Sequence, residues 1–161
     1  MSNGKSLQPT QYAKRRYNIT APIDFDVAVK YGGVLMAIAG ADGELGEAEF
    51  QWYADEQETL FLESEEYIET LRKFDWKNAK LEELLSGIKY AFSINFRRTL
   101  LYQAIKMSRA DGLYHEKEKE AAAKAAEILG IDRSGLVSLE AMAELEDATE
   151  RLRLALFETE V

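Results

Sequence analysis

The chain has no cysteine. That absence removes disulfides, thiolate metal sites and cysteine redox chemistry, along with the usual direct ligand for soft metals and metalloids. Histidine is represented by His115 alone, too little for a histidine-rich zinc centre. Proline is confined to Pro9 and Pro22, so little in the rest of the chain interrupts a helix. Positive charge is in deficit: 20 basic residues face 29 acidic ones, for a net charge of -9. An acidic surface repels phosphate backbones, so no nucleic-acid partner is expected. No apolar run approaches the roughly 20 residues of a membrane helix, so no membrane insertion is expected. Met1 to Thr10 lacks the apolar region of a signal peptide, and the expected location is cytoplasmic. There is no Gly-x-Ser-x-Gly and no phosphate-cradling glycine loop. The Glu-x-x-His of helical di-metal carboxylate centres is missing as well, since Gly112 stands three positions before His115. These absences point to a non-enzymatic domain.

What is abundant is helix-forming. Alanine, leucine, glutamate and lysine recur at helical spacing, and no segment alternates like a strand, so the expected fold class is all-α, a compact bundle of about seven helices. Met1 to about Gln11 reads as a mobile tail. The short basic patch Lys14-Arg15-Arg16, flanked by Tyr12 and Tyr17, reads as a first helix turn or as an arm for an acidic partner. Residues 1–20 are thus set apart from a helical domain over 21–161. Thr20 and Pro22 signal the start of a long helix, and Gly43 its end. Further helices are expected over about 47–61, after Ser64, after Asn78 through Ile88, from about Phe96, and over about 116–129 to a stop at Gly130. In the last helix, after Asp132, Met142, Leu145, Thr149, Leu152 and Leu156 alternate spacings of three and four, one apolar seam on an acidic helix.

The tripeptide Ala-Asp-Gly occurs twice, at Ala41-Asp42-Gly43 and Ala110-Asp111-Gly112, sixty-nine residues apart. The same offset maps Tyr31 onto Leu100, Leu35 onto Ala104 and Ile38 onto Met107. Downstream it maps Glu47 onto Glu116, Glu49 onto Glu118 and Leu60 onto Leu129. Apolar faces before and glutamates after imply two pseudo-symmetric helix–loop–helix repeats, 23–61 on 92–130.

Each loop matches the back half of an EF-hand, with Asp, Gly, an apolar residue and Glu at positions five, six, eight and twelve. The front half is absent. Ile38 or Met107 would fill position one and Gly40 or Arg109 position three, so neither loop is an EF-hand calcium site. Two readings of the acidic residues stand side by side. Aspartates can bond local amides and first-turn glutamates complement the helix dipole. Alternatively, a pseudo-two-fold axis would bring the loops together, gathering Asp42, Glu44, Glu49, Asp111 and Glu118 into an oxygen cluster suited to a divalent cation, with His115 adding an imidazole. A metal-dependent hydrolase or a metal-sequestering protein built on Asp42 and Asp111 is the competing function. Trp52 points away from the apolar side of its helix and is the candidate interface residue, which admits a homodimer or packing against the N-terminal segment.

The stretch Met36-Ala37-Ile38-Ala39-Gly40-Ala41-Asp42-Gly43-Glu44, with Ala110-Asp111-Gly112 and Ala126-Glu127-Ile128-Leu129-Gly130, resembles the TerB-like family of tellurite-resistance proteins over roughly residues 25–157. The resemblance implies a compact helical fold, an acidic metal-binding loop region and a role in stress responses to tellurite and other toxic agents. It also implies protein partners, including membrane-associated complexes with calcium-binding relatives. Leu113 stands where the first repeat has Glu44, a departure from two equivalent acidic sites. The expected function is a binding or adaptor domain.

Overall fold

The computed structural model describes residues 5–87 and 92–158. Asp24, not Thr20 or Pro22, starts the first long helix. Its Oδ1 accepts the backbone N–H groups of Asp26 and Val27 at 2.9 and 3.2 Å, satisfying two of the donors a helix start leaves open. Before it, Ser6–Leu7 (β1) pairs antiparallel with Ile23–Asp24 (β2), and Gln11–Tyr17 (α1) lies between them, capped by Thr10. The tail expected through Gln11 is therefore docked from Lys5 onward. Leu7, Ala13 and Ile19 are buried, and the backbone N–H groups of Thr10 and Leu62 donate to the carbonyls of Leu60 and Gln8. Within the basic patch, Arg16 reaches Glu146 near the other end of the chain and stacks over Tyr12 and Tyr17.

The remaining elements among the described residues are Phe25–Ala39 (α2), Glu47–Leu60 (α3), Glu65–Arg72 (α4), Leu81–Leu85 (α5), Ile94–Ser108 (α6), Glu116–Leu129 (α7) and Arg133–Phe157 (α8). The protein is all-α in class, with eight described helices and one very small sheet. Ser64 occupies its cap position without a side-chain bond. Asn78 is not a cap. It donates to Asp75 Oδ2 at 2.7 Å, and α5 begins only at Leu81. Ile88, assigned to that helix from the sequence, lies outside the described residues. Asp132 caps α8 through the N–H of Gly135 at 2.7 Å, and Gly130 ends α7 with φ of 72°.

The core is built on α2 and α6. Val34, Leu35 and Ile38 on one helix and Leu100, Leu101, Ala104 and Ile105 on the other are wholly buried. Two tyrosine hydroxyls inside this core are hydrogen-bonded, as burial favours. Tyr31 donates to Gln103 Oε1 at 2.6 Å, joining α2 to α6, and Tyr67 donates to the carbonyl of Ala28 at 2.8 Å, joining α4 to α2. On its other side α2 presents Gly32 and Gly33, and its cap Gly40, where Leu71, Phe74 and Trp76 press close to the backbone. That close approach explains why glycines sit inside a buried helix despite their poor propensity.

The two Asp-Gly loops follow α2 and α6. Helix α2 ends at Ala39 with Gly40 as cap, so Gly43 lies in the loop proper and does not end the helix. Gly43 and Gly112 hold φ of 98° and 89°, and a Cβ at either would meet nothing within 4 Å. Their cost of substitution is thus conformational alone. Gly43→Ala is expected to lower stability by roughly 1 kcal/mol in a denaturant melt. A neutral substitution would mean the loop relaxes to negative φ.

Candidate metal centre

The loops bring four carboxylates together, and each is held the same way. Asp42 Oδ1 accepts the N–H of Glu44 at 3.1 Å, and Asp111 Oδ1 accepts that of Leu113 at 2.9 Å. Glu49 Oε1 accepts the N–H of Gly46 at 2.9 Å, and Glu118 Oε1 accepts that of His115 at 2.9 Å. The two aspartates thereby shape their turns, and the two glutamates cap α3 and α7 from the third helical position. Every carboxylate has one oxygen fixed by backbone and one to spare.

The spare oxygens converge. Asp42 Oδ2 and Asp111 Oδ2 each lie 3.7 Å from His115 Nε2. One donor atom each from Asp42, His115 and Glu118 lie within 4.8 Å of one another. Glu49 and Glu118 are 3 % and 0 % exposed, and their Oε2 atoms are buried with no hydrogen-bond partner. Their electrostatics follow from this enclosure. Burial, then the facing Glu118 and Asp111, pushes the Glu49 carboxyl up to about 8, although the Gly46 N–H opposes the rise. Burial raises Glu118 as well, with Asp42 and Asp111 adding to it. Two carboxylates facing one another without a bound cation share a proton or repel.

Other residues singled out in the sequence stand differently. Glu44 is exposed, and among the described residues no hydrogen bond or ion pair joins its carboxylate to the cluster. The loop uses its backbone N–H. Arg109, which an EF-hand alignment would put at position three, donates to Asp147 Oδ2 at 2.7 Å. Asp147 on α8 also takes Lys106, so both cations beside the second loop pair with one carboxylate of the last helix. That ion triad had no sequence signal, because it joins positions some forty residues apart. Trp52 is half-buried. It lines a groove with Tyr114, Arg109, Gly112 and Leu154, between α3, the second loop and α8.

One donor atom each of Asp42, His115 and Glu118 lies close enough to the others to be able to hold one ion, with Asp111 and Glu49 beside them. The carboxylates are of the hard oxygen type that divalent cations favour, and backbone hydrogen bonds orient them. A helical domain with an acidic cluster between two loops of one design is the class this geometry defines. The chain belongs to the family of the tellurite resistance protein TerB, whose model matches residues 33–141. Among solved structures it is similar to a tellurite resistance protein from Nostoc punctiforme PCC 73102. The two share 25 % identity with a TM-score of 0.72, over 94 % of this chain and 92 % of that one. No curated protein sequence matches it. No helix among the described residues is long and apolar enough to cross a membrane.

Proposed function

We propose that this protein is a non-enzymatic, tellurite-resistance-like binding domain that holds one divalent cation between its two Asp-Gly loops. The observation that supports it best is the pair of buried, unpartnered oxygens, Glu49 Oε2 and Glu118 Oε2, beside Asp42, Asp111 and His115. A carboxylate oxygen removed from water without a partner is costly. A fold that keeps two of them in one pocket is explained by a cation between them. The metal links α3 to α7 through the loops, so it serves the fold by mass action.

Tellurite itself is a poor guest for this pocket. It is an oxyanion, which four carboxylates repel, and the chain has no thiol to reduce it. The protein's part in resistance is therefore carried by the cation and by a protein partner. The groove beside the second loop supports that second element, because Trp52, Tyr114 and Leu154 give it apolar anchors next to the ion triad of Arg109, Lys106 and Asp147. The test is elemental analysis of protein purified without chelator. About one equivalent of a divalent metal is expected, falling to background in Asp42→Asn/Asp111→Asn. A metal-free wild type that also takes up no ion on dialysis overturns the reading.

A further inference from the structure

The cluster between the loops is symmetric in its carboxylates and not in its remaining donor. The sixty-nine-residue offset maps Asp42 onto Asp111 and Glu49 onto Glu118, but it maps Gly46 onto His115. One imidazole is thereby set among acids. It belongs to the single histidine of a chain without cysteine, so no thiolate and no second imidazole competes with it. Its Nε2 lies 3.7 Å from Asp42 Oδ2 and 3.7 Å from Asp111 Oδ2, too far to hydrogen-bond to either. Two donors about 2.1 Å from a zinc ion at a tetrahedral angle stand roughly 3.4 Å apart, so an ion between the ring and Asp42 needs little movement of either. Glu118 supplies the third donor of the group, and its Oε2 is buried without a partner, as is that of Glu49.

These donor types discriminate among divalent ions. Calcium takes about six to eight oxygens, and its protein sites draw on backbone carbonyls as well as carboxylates. Here the backbone meets the cluster with N–H groups. Those of Glu44, Gly46, Leu113 and His115 each donate to one of the four carboxylates, and an N–H group cannot ligate a cation. Magnesium demands octahedral oxygen coordination and gives up its water reluctantly, so an imidazole adds nothing to its binding. Imidazole suits zinc and its neighbours in the first transition row, and zinc also accepts carboxylate oxygens. The side chains of Asp42, His115 and Asp111 are partly exposed, so water can complete the shell of an ion held there.

We propose that the cluster selects a first-row transition metal ion of the zinc type over calcium and magnesium, and that His115 is the ligand that makes the selection, with Asp42 and Glu118 as the carboxylates that share the ion. This rests on the reading of the loops as a cation site and adds to it the class of ion. The first loop supplies oxygen and the second supplies both oxygen and nitrogen, so the two related loops have unlike parts in one site.

Binding of zinc, calcium and magnesium to chelator-stripped protein tests it, with affinities from competition titrations and the ring nitrogens followed by nitrogen-15 NMR. Because the chain has one histidine, its two ring signals need no assignment. Zinc should bind more tightly than calcium or magnesium and should move the Nε2 resonance, whereas calcium and magnesium should leave it in place. His115→Gln should weaken zinc binding by about tenfold or more, in keeping with the loss of a ligand, and leave the affinities for calcium and magnesium unchanged. The NMR measurement uses the wild type alone, so it decides the point even if the variant folds poorly. Zinc binding that leaves both ring signals in place, or that His115→Gln does not weaken, overturns the selection by His115. Calcium or magnesium binding as tightly as zinc overturns the class of ion. In each of these results the cation site itself stands, whereas binding of none of the three ions, nor of manganese, removes the site and this inference together.

Discussion

Glu49→Gln is expected to make the metal-free protein more stable and to remove most of its response to metal. Such a gain from altering a helix cap runs against the usual direction. The glutamine keeps the carbonyl oxygen that accepts the Gly46 N–H, so the cap survives. What it removes is a buried carboxylate whose second oxygen has no partner and faces Glu118. The folded-state value of about 8 lies above the ordinary 4.5, so the native protein binds this proton more tightly than the unfolded chain. Stability is then fully present below pH 4.5 and is lost as pH rises towards about 8. Carried in full, that displacement is worth roughly 5 kcal/mol above pH 8, or on the order of 10 °C in melting temperature for a chain of this size. Thermal melts in chelator should therefore show wild type declining across that window while Glu49→Gln stays nearly flat and melts higher. Metal affinity should rise over the same window, because the cation displaces the shared proton. A lower melting point for Glu49→Gln in chelator would mean that its carboxylate acts only as a cap and dipole partner.

Gly32→Val is expected to cost about 3 kcal/mol or to prevent folding. A Cβ at Gly32 would fall inside the van der Waals envelope of Leu71 and 2.6 Å from Tyr53 Oη. Neither neighbour can retreat. Leu71 is fully buried, and Tyr53 is tied by a 2.5 Å hydrogen bond to Tyr67, whose hydroxyl also holds the carbonyl of Ala28. Helix propensity pulls the other way, since glycine is the poorer helix former by about 1 kcal/mol. Packing wins because the interior is already close-packed. Chemical denaturation should show a lowered midpoint with an unchanged slope. A variant as stable as wild type would mean that α4 can shift away from α2.

The sequence made the helices and loops legible because their signals are local. The sixty-nine-residue offset between the two Asp-Gly tripeptides is also the offset between the bounds of α2 and α6 and between those of α3 and α7. An internal duplication would leave that pattern. The candidate site was legible as a set of residue types, but not in its division of labour. Glu44 sits where a ligand would by spacing, yet its side chain is exposed and its backbone does the work. Glu49 and Glu118 read equally as first-turn acids or as members of the oxygen cluster, and their burial was not legible because it arises only when the two loops close on one another. Asp24 was passed over for Thr20 and Pro22, since several cap residues crowd into five positions and the strand pairing that selects among them is long-range. The docking of residues 5–11 was hidden for the same reason. Its partners, Leu60 and Leu62, lie some fifty residues away.

The central claim is that the pocket between the loops is a cation site, and isothermal titration calorimetry tests it most directly. Chelator-treated protein would be titrated with calcium, magnesium, manganese and zinc in turn. At least one ion should bind with a stoichiometry near one, with proton release visible as a dependence of the measured heat on buffer ionisation. The signal should vanish in Asp42→Asn/Asp111→Asn, while Glu44→Gln should leave it intact because that carboxylate lies outside the cluster. No heat with any of the four ions, or binding that Asp42→Asn/Asp111→Asn leaves unchanged, would contradict the account.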